Sequence, residues 1–150
     1  MIYLVSNQKE LFENTEYSNI SPGGAINMLK SIKRNDHNKR IIASDTETTG
    51  LNFIQNNIIT IQLGNKDFQI VWDCITINIS LLKDILEDED TITVWWNSIF
   101  DLLFLYKNNI FPRNIYDGIL AEQLLYNGLD YKNLLTKIFL SIKSLLLLVY

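Results

Sequence analysis

The stretch IIASDTETTGL, residues 41–51, decides the fold of this chain. Apolar and small residues lead into Asp45 and Glu47, which stand two positions apart. Side chains with that spacing point to the same face of a strand, and like charges so close repel each other unless a cation lies between them. Carboxylate oxygens suit Mg²⁺ or Mn²⁺. The pair favours a divalent-cation site over two ordinary solvated acids because the residues after it, Thr48–Leu51, make the string more specific than a bare Asp-x-Glu.

Apolar patterns on both sides of this stretch predict an α/β fold. Three strands with short connections are followed by alternating helices and strands, which is typical of a mixed sheet flanked by helices. The predicted strands are residues 2–5, 40–46, 57–63, 67–72, 91–96 and 115–116. The predicted helices begin at Ser21-Pro22, near Leu81, near Ile99, at the N-cap Asp117 and at Tyr131, with Gly128 ending the fourth and Leu146 the last.

Composition and charge narrow the classes of function. Hydrophobic residues make up 47% of the 150 residues, enough for a packed core, and the single Cys74 cannot form an internal disulfide. The net charge of −4 argues against a general duplex-DNA-binding module. Basic residues cluster at positions 30–40, where a solvated surface and a nucleic-acid track are both open readings. The N-terminus does not resemble a signal peptide, and Lys137 and Lys143 interrupt the apolar tail, so we expect a cytoplasmic protein without a membrane span.

Four segments carry a resemblance to a known family. Ser44–Leu51 resembles the first motif of the DnaQ-like (DEDD) 3′-5′ exonucleases. Residues 57–64 resemble the strand that follows it in the proofreading domains of family A, Pol I-like, DNA polymerases. The second motif of the family is an Asn, two residues, an aromatic residue and an Asp, which matches Asn97–Asp101, although Trp96 stands where many relatives have His. Residues 115–125 resemble the next helix of the polymerase-linked members.

The resemblance implies a ribonuclease H-like fold. It covers residues 40–129 or so, and it leaves about 1–38 as an N-terminal extension and 131–150 as a divergent C-terminal helix of a single domain, 1–150. It also implies 3′-5′ exonuclease activity on the 3′ end of single-stranded nucleic acid, which is DNA for the polymerase-linked members. The implied setting is DNA replication and proofreading, in the cytoplasm or in phage or bacterial replication machinery, with a DNA polymerase domain as a partner.

The same resemblance assigns roles to individual residues. Asp45, Glu47 and Asp101 match three of the four metal-binding, catalytic carboxylates, which in this family hold two divalent cations, Mg²⁺ or Mn²⁺. Asp45 would bridge both ions, Glu47 would hold the ion that carries the attacking water, and Asp101 would hold the other. The positions that match substrate-binding residues are Thr48, Leu51, Asn97 and Phe100.

The third motif of the family, a Tyr or His followed four or five residues later by an Asp, has no convincing match. Tyr126 and Asp130 fit the spacing, but Gly128 between them would break the helix that should present both. We therefore expect a C-terminally incomplete domain. Three interpretations stay open: an active exonuclease, a catalytically dead domain that binds nucleic-acid ends or a polymerase, and a HAD-type phosphatase, for which Glu47 stands in place of the usual second Asp.

Overall fold

The computed structural model of the protein describes residues 1–8 and 17–126. Seven strands form one sheet: β1 (Ile2–Val5), β2 (Tyr17–Asn19), β3 (Arg40–Thr48), β4 (Ile58–Gly64), β5 (Gln69–Asp73), β6 (Thr91–Trp95) and β7 (Asn114–Asp117). The helices are α1 (Pro22–Ser31), α2 (Lys83–Leu86) after a 3-10 turn at Ile79–Leu82, α3 (Ser98–Lys107) and α4 (Gly118–Leu125). The chain divides into two compact units, Met1–Gly118 and Ile119–Tyr150, and the sheet belongs to the first.

The strands lie in the order β2-β1-β5-β4-β3-β6-β7. The hairpins β3–β4 and β4–β5 are antiparallel, whereas β6 and β7 add to β3 in parallel and β1 pairs in parallel with β2 and β5. This mixed sheet confirms the α/β prediction. Because β3, β6 and β7 are parallel, their carboxyl ends meet at one edge of the sheet, where side chains leave the core and can form a site.

The central strand β3 shows why the two acids face outward. Burial alternates along it, with Arg40, Ile42, Ser44 and Thr46 buried and the intervening side chains half-buried or exposed. The buried face packs into an apolar cluster that includes Ile61, Trp72, Leu82 and Phe104. Asp45 and Glu47 have the opposite parity and therefore lie on the more open face.

Several local predictions are confirmed. Ser21 is the N-cap of α1, its hydroxyl oxygen accepting from the backbone N–H of Gly24 at 3.1 Å, and Pro22 is the first helical residue. The short connection expected between the predicted strands 57–63 and 67–72 is a turn, which the N–H of Asn65 closes by donating to the Phe68 carbonyl at 2.9 Å. The strand β3 runs two residues past its predicted end, to Thr48.

Other predictions were missed or stay untested. The three-residue edge strand β2 was not predicted, because Tyr17–Asn19 is too short to show a pattern. The residues Asn127–Asp130, with Gly128, and the helix predicted over Tyr131–Leu146 lie outside the described residues. Domain boundaries within 1–150 stay a prediction. None of the helices in the described part of the chain is long and apolar enough to cross a membrane.

Candidate active site

Two elements present the three predicted metal ligands. Asp45 and Glu47 are on the second half of β3, where Asp45 is half-buried and Glu47 is exposed. Asp101 is in the first turn of α3, and its side chain is buried, with 3% of the residue exposed. The helix follows β6, the parallel neighbour of β3, so its first turn lies at the same edge of the sheet as the two acids.

Asp101 is joined to the strand through Thr46, the residue between the two acids. Its Oδ1 accepts from the Thr46 backbone N–H at 3.1 Å and from the Thr46 hydroxyl at 2.6 Å. The register of β6 against β3 stops at Ala43, so no β6 residue is paired with Thr46 on that side of the strand. The carboxylate therefore takes the position that a further β6 residue would occupy, and the side chain of Thr46 fixes it there.

The charges of the three acids are coupled. Burial raises the pKa of Asp101 most, the charge of Asp45 raises it further, and the hydrogen bond from Thr46 opposes both, so that the pKa is about 7. The pKa of Asp45 is also raised, first by burial and then by the charge of Glu47. Asp45 thus repels both of the other carboxylates, and a bound cation would relieve that repulsion.

The donor chemistry of these residues fits a hard divalent cation, because all three are carboxylates and the buried one lies beside a like charge. The side-chain positions fit less well. Among residues 1–8 and 17–126, no group of three or more acids, histidines or cysteines is close enough together to hold a metal ion. The structure therefore places Asp45, Glu47 and Asp101 at one edge of the sheet without closing them into a coordination shell.

The start of α3 is built by residues from two strands. Asn97 adopts a left-handed conformation, with φ 66° and ψ 55°, and so turns the chain sharply from β6 into the helix. Asp117, at the end of β7, accepts from both the backbone N–H and the hydroxyl of Ser98 at 2.7 Å. Asp117 directly precedes α4, the position that we predicted for the cap of that helix, and its contact with Ser98 also caps the helix that carries Asp101.

The residue before the second motif, Trp96, has a packing role. A Cβ atom on Gly118 would lie 2.5 Å from the Trp96 ring, so the indole lies directly against the backbone of that glycine. Only a residue without a side chain allows this approach. The contact fixes the link between β6 and α3 against the end of β7.

The predicted substrate-binding residues fall into two groups. Leu51 is 87% exposed and Asn97 is exposed, with no capping hydrogen bond from its side chain. Thr48 is half-buried, and its hydroxyl donates to the Gly50 carbonyl at 2.9 Å. Phe100 is half-buried against the core, its ring centroid 5.1 Å from that of Phe104. Leu51 and Asn97 are therefore open to a substrate, whereas Thr48 and Phe100 are engaged within the protein.

Comparison with known proteins decides the family. The family model of the 3′-5′ exonuclease of the DNA polymerase A type matches residues 25–146. The chain belongs to this 3′-5′ exonuclease family. The match extends from α1 through the whole site, so the acids on β3 and the first turn of α3 lie inside it.

Relatives of this exonuclease domain agree with the assignment. The chain is 33% identical over 103 residues to DNA polymerase I of Aquifex aeolicus, a match that covers 68% of the chain and 17% of the polymerase. Its fold is similar to that of Brucella melitensis NrnC with bound Mg²⁺, with a TM-score of 0.61 and 17% identity, covering 92% of this chain and 60% of that one. The catalytic core of Trypanosoma brucei RRP6 is similar with a TM-score of 0.61 and 16% identity, and the match covers 82% of this chain and 30% of that one. The predicted ribonuclease H-like fold is thereby confirmed.

The basic residues before β3 are largely committed to the exonuclease fold itself. Arg34 and Lys39 pair with Asp90 at 2.6 and 3.2 Å, and Arg40 pairs with Asp88 at 3.2 Å. These pairs hold β3 against the turn that leads into β6. They favour a structural role for these three cations over a nucleic-acid track.

Sequence reasoning missed three residues that shape the site: Thr46, Ser98 and Lys107. The position of Thr46 between the two acids was a signal, because a strand residue of opposite parity faces the neighbouring layer. Ser98 had a weaker signal, since a hydroxyl residue at a helix start often takes part in capping. No local pattern marks Lys107, whose partners lie at least 50 positions away in the chain.

Proposed function

We propose that this chain removes nucleotides from the 3′ end of single-stranded DNA by hydrolysing phosphodiester bonds. The observation that carries the proposal is Asp101, a buried carboxylate fixed by Thr46 beside the like-charged Asp45. None of the ion pairs among the described residues involves it. In the proposed site a bound divalent cation, the partner that carboxylates select, would balance the charge of this group.

Asp45, Glu47 and Asp101 would hold the divalent cations, and the charge of Asp45 acts on both of the other carboxylates. When bound, a pair of divalent ions lowers the pKa of an attacking water and stabilises the leaving oxygen of the phosphodiester. The chain itself supplies orientation. Thr46 holds Asp101 against β3, Asp117 holds the start of α3, and the exposed Leu51 offers an apolar contact for the terminal base.

The choice of DNA follows from the polymerase I match and from the family model, which belongs to the DNA polymerase A type. NrnC of Brucella melitensis has been solved bound to pGG, so short oligonucleotides are a natural class of substrate to test as well. We also propose that the domain works in the cytoplasm with a DNA polymerase domain, in replication or proofreading.

A second candidate is a non-catalytic domain that binds nucleic-acid ends. It is favoured by one observation, the absence of a closed three-ligand metal cluster in the described part of the chain. The two candidates differ in whether a divalent cation and Asp45 are needed for any effect on the oligonucleotide.

The test is cleavage of a 5′-labelled single-stranded oligonucleotide by the purified chain with Mn²⁺. We expect a ladder shortened from the 3′ end with DNA, less product with RNA of the same sequence, and none with Asp45→Asn. Asp67→Asn, in the exposed turn between β4 and β5, is the matched control and should cut like the wild type. Intact oligonucleotide with all three proteins, bound equally well, would support the second candidate and reject the first.

A further inference from the structure

Residues 49–57, the β3–β4 loop, form a closed and internally bonded structure. At its base the N–H of Thr49 donates to the Asn57 carbonyl at 2.9 Å, and the N–H of Asn57 donates back to the Thr49 hydroxyl at 3.0 Å. Within it the Asn52 carbonyl accepts from the N–H of Asn56 at 2.9 Å. Such a loop moves as one body rather than residue by residue.

Only part of this loop faces the core. Phe53 packs against the apolar cluster, whereas Leu51 and Ile54 are 87% and 72% exposed. Two large apolar side chains are therefore held out from the strand that carries Asp45 and Glu47. Their position relative to the site depends on what fixes the loop from outside.

Lys107, in the last turn of α3, makes that external contact. Its ammonium donates to the Ile54 carbonyl at 3.3 Å, to the Asn56 carbonyl at 2.7 Å and to Asn57 Oδ1 at 3.0 Å. A lysine ammonium has three donors and no acceptor. The three hydrogen bonds to the loop therefore use all the donors of Lys107. Lys107 is consequently not available to bind a substrate phosphate, and its contribution must come through the loop.

The helix joins this contact to the metal-ligand position. Asp101 and Lys107 are six residues apart on α3, which is a rise of about 9 Å along a rigid helix. One end of α3 is fixed to β3 through Thr46, and the other end is fixed to the β3–β4 loop. The helix therefore sets the distance between the acids and the exposed apolar pair.

The geometry points to Lys107 as a positioning residue for the 3′-terminal base. It holds the β3–β4 loop at a fixed distance from Asp101, so that Leu51 and Ile54 meet the base while the scissile phosphate reaches the carboxylates. The inference rests on the proposed exonuclease function. It differs from that proposal in assigning substrate placement to a residue that touches neither the metal nor the nucleic acid.

Two measurements on the full chain test it, with the variant Lys107→Met. Methionine keeps an apolar stem of similar length, and no described carboxylate loses an ion-pair partner. Hydrogen exchange of the loop amides should accelerate about tenfold, the effect expected for losing one net hydrogen bond or more, while exchange of the β3 amides stays unchanged. With a single-stranded DNA oligonucleotide and Mn²⁺, KM should rise about tenfold at nearly constant kcat, which is the signature of lost binding rather than lost chemistry.

Lys107→Arg should restore most of both values, because a guanidinium also donates to several carbonyls. Lys66→Met, in the exposed turn between β4 and β5, should behave as the wild type in both measurements. Unchanged loop exchange in Lys107→Met overturns the inference. So does a fall in kcat at constant KM, since that would place the effect on the chemistry at Asp101. If the wild type does not cleave, the proposed function fails on its own, and the exchange measurement alone decides whether Lys107 holds the loop.

Discussion

Asp101 in α3 and Asp73 at the end of β5 are both buried, at 3% and 9% exposure, yet their surroundings are opposite. Asp73 Oδ2 accepts from the hydroxyls of Ser6 and Thr76, each at 2.6 Å, and Oδ1 accepts from the N–H groups of Ile75 and Thr76. Asp101 Oδ1 accepts from the backbone N–H and the hydroxyl of Thr46, and the like charge of Asp45 lies nearby. Among the described residues, Asp73 therefore has more hydrogen-bond donors than Asp101 and no like charge that raises its pKa.

The pKa values follow the same division. Burial raises the pKa of Asp73, but the hydrogen bonds from Ser6, Thr76 and the backbone outweigh it and the pKa is lowered. For Asp101 burial and the charge of Asp45 prevail and the pKa rises to about 7. The donors around each carboxylate thus account for the opposite directions of the two pKa values, and they separate Asp73 from the proposed metal ligand Asp101.

We expect the largest effect on the rate of cleavage, in the variant Asp101→Asn. This change removes a metal-ligating oxygen charge, so the rate of oligonucleotide cleavage should fall by more than about 100-fold, beyond the range found for residues that merely support a ligand. Above pH 7 the metal-free variant should melt at a temperature equal to or above that of the wild type, since a costly buried charge is gone. A stable variant that retains wild-type cleavage would remove Asp101 from the site.

The variant Asp73→Ala should show the opposite pattern. It should lose stability and keep its cleavage activity. At least two backbone N–H groups lose their acceptor, so the free energy of unfolding should fall by about 2–3 kcal/mol. Chemical denaturation measures this, and Asp67→Ala provides an exposed control. Cleavage per folded molecule should stay at the wild-type level, and a specific loss of kcat would end the division between the two aspartates.

Asp117 should lie between these extremes, because it is satisfied like Asp73 but serves the helix of Asp101. Asp117→Ala should reduce kcat about tenfold, the lower end for loss of a residue that supports a ligand, and lower stability by about 1 kcal/mol as for a lost helix cap. Asp117→Asn should recover most of both values, since an amide oxygen also caps helices. Failure of the asparagine variant to recover would mean that the charge, not the geometry, is needed.

A further expected effect is a pH dependence of opposite sign for the two aspartates in the metal-free chain. The folded state keeps the Asp101 proton up to about pH 7, whereas an unfolded chain releases it near 3.8, so stability falls as pH rises between these values. The slope from one proton is at most about 1.4 kcal/mol per pH unit. Asp101→Asn should abolish it, as denaturant titrations at several pH values would reveal.

For Asp73 the sign is reversed. Its pKa is lowered on folding, so its contribution is complete above pH 3.8 and is lost as the pH falls through the folded value. Acid unfolding of Asp73→Ala should therefore lack this component. If the free energy of unfolding depended on pH in the same way in the wild type and in both variants, neither carboxylate would have the pKa shift assigned to it.

Saturating Mn²⁺ should cancel the Asp101 component in the wild type, because a bound cation stabilises the ionised form. The variant Asp101→Asn should show no such response. This measurement joins the stability comparison to the proposed metal site without requiring cleavage.

The amino-acid sequence by itself determined the strand that carries Asp45 and Glu47, and the helix that begins next to Asn97. Both follow from local patterns, the alternation of side chains on a strand and the periodicity of a helix. Each pattern can be recognised within about ten consecutive residues. The resemblance added Asp101 for the same reason, since the motif is contiguous. The limits of β3 and the presence of the edge strand β2 were harder to predict from the sequence, because strand ends depend on which neighbouring strand pairs with them.

The tertiary structure alone decided how these pieces are held together. Thr46 bonds to Asp101 across 55 positions, Asp117 caps Ser98 across 19, and Lys107 reaches the β3–β4 loop across 50 to 53. Each contact exists because β3, β6 and β7 lie side by side in the sheet, an order that no local pattern contains. The physical reason is that hydrogen bonds and charges act over a few ångströms in space, so their partners are fixed only when the fold brings distant segments together.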